Sequence, residues 1–232
     1  MKEKIIIALD ISSREQALRL VRELHDLAGM FKVGSQLYMA AGPAIVREIV
    51  DMGGRVFLDL KFHDIPNTVS HAAVEAAKLG VSMMTIHASG GRAMMESAAG
   101  ELEAKFGSKR PLVIAVTILT SLDTPALFEI GLEQPVEELV ERLALLGQDC
   151  GMDGIVCSPR EIQPLRRVLD AEFKIVTPGI RMPSQPLHDQ QRTATAQEAL
   201  AAGADYIVVG RALTSEGDPR AALCRLTEGL LG

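Results

Sequence analysis

Short aliphatic and β-branched runs alternate with longer stretches whose apolar positions recur every three or four residues, from one end of the chain to the other. The runs predict strands at residues 4–9, 30–33, 55–60, 82–87, 112–117, 154–157, 173–177 and 206–209. Helical periodicity fills the intervals. Leu18, Val21 and Leu24 form one apolar stripe, and Ser13 with Gln16 reads as a capping box that opens this helix. Further helices are predicted over about 43–52, 66–79, 92–106, 136–148, 159–169, 196–202 and 219–231. A longer connection follows the fifth strand, and a polar, proline-containing segment spans residues 179–192. Eight β-then-α units with right-handed crossovers predict a (β/α)8 TIM barrel, an α/β fold.

No linker or composition shift divides the chain, so residues 1–232 read as a single domain. A doubly wound open sheet is the alternative. It would carry a glycine-rich turn after its first strand, where this chain has Asp10-Ile11-Ser12-Ser13. Neither a dinucleotide fingerprint nor a P-loop occurs.

Composition narrows the function classes. At 47% apolar and 23% charged residues the chain is of ordinary globular type. A net charge of −6, few aromatic residues and no Trp argue against nucleic-acid binding. Cys150, Cys157 and Cys224 are odd in number and lack metal-type spacing, which predicts reduced, buried thiols in a cytoplasmic protein. The apolar run that begins at Ile5 ends at Asp10, too short for a membrane span and without a cleavage site after it.

In a barrel of this kind the active site lies at the C-terminal ends of the strands. The polar residues fall there. Asp10 ends the first strand, Lys32 the second, and Asp59 and Lys61 the third, with Asp64 in the loop beyond. Side chains alternate along a strand, so Asp59 and Lys61 should share one face and Leu58 and Leu60 the other. Charged groups are seldom buried unpaired, so this stretch is either a structural ion pair or a lysine held and aimed by carboxylates. Singly, Asp10 could cap a helix and Lys32 could be a snorkelling surface residue. Together they describe a small cavity lined by alternating charge.

Thr117 and Thr120 follow the fifth strand. Gly210-Arg211 follows the eighth strand, and Gly179-Ile180-Arg181 the seventh, where barrels often bind phosphate. The segment 182–190 is a closing lid or an ordinary surface loop. His87 is a ligand contact or a hydrogen-bonded structural histidine. His63 and His71 with Asp59 and Asp64 make a poor metal signature. Met83, Met84, Met94 and Met95 read as core.

Leu58-Asp59-Leu60-Lys61-Phe62-His63-Asp64-Ile65-Pro66-Asn67-Thr68 resembles the D-x-K-x-x-D-I-P-N-T signature of the orotidine 5′-monophosphate decarboxylase family. Ile7-Ala8-Leu9-Asp10, Lys32-Val33-Gly34, Thr177-Pro178-Gly179-Ile180-Arg181 and Val209-Gly210-Arg211 match in order and spacing, so the resemblance runs from Ile6 to Leu230. It implies decarboxylation of a nucleotide in pyrimidine synthesis without a metal or organic cofactor. It implies Lys61 as proton donor, flanked by Asp59 and Asp64, with Lys32 completing the array. Asp10 and Lys32 would hold the ribose hydroxyls and Thr120 the pyrimidine. Gln190, Gly210 and Arg211 would take the phosphate, with Arg181 at the base of the lid. The resemblance further implies a homodimer in which Asp64, Ile65 and Thr68 serve the neighbouring site. A sugar-phosphate decarboxylase or aldolase using magnesium would share D-x-K-x-x-D without the Ile-Pro-Asn-Thr extension. A non-catalytic phosphate-binding barrel is the other reading.

Overall fold

The computed structural model describes residues 1–181, 194–210, 213 and 217–229. Eight parallel strands close into a barrel. They are β1 (Ile5–Ala8), β2 (Met30–Gly34), β3 (Val56–Phe62), β4 (Met83–His87), β5 (Leu112–Val116), β6 (Gly154–Val156), β7 (Lys174–Thr177) and, after a short pair described below, β10 (Tyr206–Val209). Closure comes from β1, which pairs with β2 on one side and β10 on the other, with Ile7 opposite both Phe31 and Val209. The fold is a single (β/α)8 domain.

Alternation along each strand builds two separate apolar layers. Ile6, Ala8, Met30, Phe57, Met83, Ile114, Val176 and Val208 fill the barrel interior. Ile5, Ile7, Leu9, Phe31, Val33, Leu58, Met84 and Ile86 face outward under the helices. Met83, Met84, Met94 and Met95 are all fully buried, as core residues should be. Along β1, β2 and β3 the inward positions change towards the C-terminal end, from apolar residues to Asp10, Lys32, Asp59 and Lys61. The lower barrel is thus a packed plug, and the charged groups sit on top of it.

The helices depart from the expected pattern in places. Between β2 and β3 there are two, α2 (Ser35–Ala41) and α3 (Ala44–Asp51), where one was expected. Gly42, in a left-handed conformation at φ 69°, ends the first before Pro43 starts the second. The first helix, α1 (Arg14–Leu24), is capped by Ser13, which accepts the Gln16 N–H at 3.3 Å. Ser13 donates its own proton to Glu15 at 3.1 Å, so this is a simple cap and not the reciprocal box. After β3 comes α4 (Pro66–Lys78), with proline at its first position, and after β4 comes α5 (Arg92–Phe106).

The long connection after β5 contains a short helix, α6 (Thr124–Glu129), before α7 (Val136–Asp149). After β6 a 3-10 turn (Pro159–Glu161) leads into α8 (Ile162–Arg166), shorter than its periodicity suggested. The polar segment after β7 is bracketed by a short parallel pair that the sequence reading did not include, β8 (Ile180–Arg181) and β9 (Ala194–Thr195). Gly179, at φ 81°, makes the turn that allows it. Thr195 and Glu198 form a reciprocal capping box for α9 (Ala196–Ala201). The last helix is α10 (Pro219–Glu228).

At the N-terminal face, ion pairs tie the barrel rim. Arg110 grips Asp153 through two bonds of 2.6 and 2.9 Å, and Asp153 also accepts the Val113 N–H at 2.7 Å. Arg166 pairs with Asp205, which accepts the Ile175 N–H at 2.8 Å. Cys150 and Cys157 are buried, Cys224 is half-buried, and none is in a disulfide. Among the described residues, no helix is long and apolar enough to cross a membrane.

Candidate active site

Four alternating charges run along the C-terminal rim of β1, β2 and β3. Lys32 Nζ lies 2.9 Å from Asp10 Oδ1 and 3.7 Å from Asp59 Oδ2, and Lys61 Nζ lies 2.8 Å from Asp59 Oδ1. The side chains of Lys32 and Asp59 are 12% and 13% exposed and those of Lys61 and Asp10 36% and 44%, so the row is buried at its middle and open at its ends. Asp10 is neither a helix cap nor isolated: its carboxylate holds Lys32, and Lys32 points inward and does not snorkel. Gly34 lies alongside, where an added Cβ would come within 3.2 Å of Lys32 Nζ. A Cβ at Gly210 would lie 3.5 Å from Asp10 Oδ2, so the end of β10 sits beside the same charges.

Burial by itself would raise the Asp59 carboxyl. Lys61 and Lys32, with hydrogen bonds from Lys61 and Thr85, outweigh it, and the group lies below its ordinary value. Asp59 is therefore ionised at neutral pH, placing a fixed negative charge between two ammonium groups.

β3 runs two residues further than its hydrophobic pattern indicates, to Phe62, and it does so irregularly. Leu58 stands opposite Met84 and Phe62 opposite Ile86, so Asp59, Leu60 and Lys61 share the space facing Thr85 alone. The bulge places both Asp59 and Lys61 on the inner face, as alternation predicted. It costs backbone strain: Lys61 is the one described non-glycine residue with positive φ, at 52°. Such a conformation costs on the order of 1–3 kcal/mol and persists only where surrounding contacts hold it.

Thr85 supplies such contacts and was not a candidate from the sequence. It is fully buried on the inner face of β4, accepts the Lys61 N–H at 2.9 Å and donates to Asp59 Oδ1 at 3.0 Å. The available signal was its position, two residues before His87 on a strand whose inward register is Met83, Thr85 and His87.

Other expected residues stand apart. Asp64 is exposed, and its carboxylate accepts the neighbouring Ile65 N–H at 2.6 Å. It forms no ion pair with Lys61 or any other described residue of its own chain. Ile65 is 66% exposed and Thr68 is exposed at the start of α4. Thr117 is buried and donates to the Val156 carbonyl at 3.0 Å, a bond within the barrel wall. Thr120 lies half-buried in the turn after β5, without a hydrogen bond to the described residues. Arg181 lies in β8. Gln190, Arg211 and the segment 182–190 lie outside the described residues.

Among the described residues the His87 ring has no hydrogen-bond partner. Its ring stands 5.1 Å from that of His63, tilted by 36°. Burial first, then His63 and Lys61, lower its pKa against the pull of Asp59, which favours the neutral ring. His71 instead approaches the Asn67 carbonyl at 2.7 Å. Among the described residues no group of three or more His, Cys, Asp or Glu is placed to hold a metal ion.

Comparison with known proteins identifies the family. Residues 3–226 match the family described as "Orotidine 5′-phosphate decarboxylase / HUMPS family". The chain is 50% identical over 230 residues to the orotidine 5′-phosphate decarboxylase of Syntrophotalea carbinolica, covering 98% of this chain and 94% of the relative. It is 51% identical over 225 residues to that of Moorella thermoacetica, covering 95% and 89%. The crystal structure of orotidine 5′-phosphate decarboxylase from Lactobacillus acidophilus superposes with a TM-score of 0.86 at 38% identity, covering 98% of this chain and 99% of that one. With the barrel, the rim of alternating charges and relatives matched over nearly their whole length, this chain belongs to the orotidine 5′-phosphate decarboxylase / HUMPS family.

Proposed function

We propose that this chain decarboxylates orotidine 5′-monophosphate to uridine 5′-monophosphate and carbon dioxide, with Lys61 as the proton donor. The observation that carries the mechanism is the inward row of charges Asp10, Lys32, Asp59 and Lys61 above an apolar barrel floor. The bond between the pyrimidine ring and its carboxylate breaks, carbon dioxide leaves, and the electron pair stays on the ring carbon. That carbon cannot easily delocalise the pair. A preorganised ammonium group in a pocket shielded from water stabilises it and then transfers a proton to it. Such preorganisation is often the largest share of the ~8–23 kcal/mol by which enzymes lower barriers.

Asp59 anchors Lys61 from within the chain, and Lys32, fixed by Asp10, completes the array. Asp10 and Lys32 bind the ribose hydroxyls and Thr120 the pyrimidine. Gln190, Gly210 and Arg211 bind the phosphate, with Arg181 at the base of the segment that closes over it. Binding energy from the phosphate, remote from the reacting carbon, then serves the transition state. The protein acts as a homodimer, and Asp64, Ile65 and Thr68 complete the site of the neighbouring subunit. The exposure of all three, and the lack of an ion pair to Asp64 among the described residues of its own chain, support that reading. The reaction needs no metal or organic cofactor and takes place in the cytoplasm.

The test follows the absorbance of orotidine monophosphate with purified protein, with no metal added and with EDTA. Turnover that persists in EDTA supports the reading. Dependence on magnesium, or turnover of a sugar phosphate in place of the nucleotide, overturns it.

A further inference from the structure

We propose that Thr85 is a positioning residue for the reaction, its one hydroxyl fixing both the backbone of Lys61 and the carboxylate of Asp59. The inference rests on the reading that Lys61 and Asp59 perform the chemistry, and it assigns a task to a residue on another strand.

A hydroxyl has one proton to donate and two lone pairs with which to accept. Thr85 commits its proton to Asp59 Oδ1 and accepts the Lys61 N–H. Asp59 Oδ1 also receives the Lys61 ammonium, at 2.8 Å. The contacts form a closed circuit: Lys61 N–H to Thr85, Thr85 to Asp59, and Asp59 back to Lys61 Nζ. The lysine is gripped at its backbone and at its tip through the same two side chains.

The bulge explains why a side chain takes this part. Three residues of β3 stand against Thr85 alone, so the regular ladder between β3 and β4 is interrupted there. The Lys61 N–H needs an acceptor, and the Thr85 hydroxyl provides it. The same bond steadies a φ of 52°, which an L-residue with a long side chain does not adopt by preference. Thr85 is fully buried, so bulk solvent cannot take the place of its hydroxyl. Its partners are charged or strained, which makes small displacements at Thr85 felt at the reacting ammonium.

The experiment compares Thr85→Val, which removes the hydroxyl at nearly constant shape, with Thr85→Ser, which keeps it. Thr85→Ala replaces the valine variant if that one does not fold. The expected result for the hydroxyl-less variant is a fall in kcat of about 10- to 100-fold, the range for a hydrogen bond to a charged group. KM for the nucleotide should stay within about 2-fold, because the lost interaction serves the transition state and not uniform binding. Thr85→Ser should recover most of the wild-type kcat. A crystal structure of the hydroxyl-less variant should show Lys61 out of its positive φ or Asp59 turned from the ammonium.

An unchanged kcat with a lowered Tm would mean a purely structural threonine and overturn the proposal. So would a change in KM alone, or a serine variant as impaired as the valine one. Wild-type turnover measured alongside separates the two readings. If the wild type fails to turn over the nucleotide, the proposed function falls, and the Lys61 φ and Asp59–Lys61 contact in the variant crystal decide the role of Thr85.

Discussion

Lys61 Nζ sits 2.8 Å from Asp59 Oδ1, although the two residues are only two apart on one strand and a bulge lies between them. Both side chains project to the barrel interior, where Asp59 is 13% exposed. The Lys61 side chain is 36% exposed, so the pair is half-buried, and removing Lys61 would leave the buried Asp59 charge with Lys32 as its compensating cation. Lys32 shares the load by approaching the other oxygen of Asp59.

Lys61→Ala and Asp64→Ala should each lower kcat by at least about 10²–10³-fold, the cost of removing a preorganised electrostatic group. Both variants should fold. Mixed in equal amounts after subunit exchange, they should recover about a quarter of wild-type activity, since half the dimers are mixed and each has one intact site. Activity is read against dimer exchange measured by mass. Absence of recovery after complete exchange would rule out a shared site.

Arg211→Ala should weaken the phosphorylated nucleotide far more than the nucleoside, by about 10-fold or more in kcat/KM, as for the loss of a charge-assisted hydrogen bond. The check is the ratio of kcat/KM for substrates with and without the phosphate. Equal losses for both would remove Arg211 from the phosphate site.

Asp153→Ala should destabilise the fold and leave the chemistry alone. It strips Arg110 of a bidentate partner and the Val113 N–H of its acceptor, at the barrel face opposite the charged rim. The expected loss is about 1.5–3 kcal/mol, the range for hydrogen bonds to charged groups. For a chain of this size that lowers Tm by roughly 3–12 °C. Calorimetry and steady-state kinetics on one preparation check it; a large drop in kcat with unchanged Tm would contradict it.

Asp26 and Arg220 tie the loop after α1 to α10 through two short bonds of 2.7 and 2.6 Å. The hydrogen bond from Arg220 lowers the Asp26 carboxyl from an ordinary 3.8 to about 2. A group whose pKa falls on folding contributes stability above its unfolded value and loses it as pH falls through the folded one. The wild type should therefore exceed Asp26→Asn in Tm at pH 6. The gap should narrow below about pH 4 and close near pH 2. Added salt should shrink it at neutral pH, because the pair is exposed. A gap independent of pH would assign the effect to packing.

The alternation of short aliphatic runs with helical periodicity determined the barrel, because each strand–helix unit must bury one sheet face and one helix stripe against its neighbours. The strand-end positions of Asp10, Lys32, Asp59 and Lys61 were equally legible, since period-2 alternation assigns faces locally. What the sequence left undecided depends on neighbours distant along the chain. Whether Asp10 caps a helix or holds Lys32 is settled by the parallel pairing of β1 with β2, which sets Ala8 opposite Lys32. The bulge in β3 is a matter of register with β4, and no pattern within residues 55–62 announces it. Thr85 looks like any inward strand residue until that register sets its hydroxyl against the Lys61 N–H. Asp64, adjacent in the motif, makes no ion pair with Lys61 and accepts the Ile65 N–H instead, in the loop between the strand end at Phe62 and the start of α4 at Pro66. Motif spacing fixes which residues lie close in sequence; which of them meet in space is fixed by hydrogen-bond register and barrel closure.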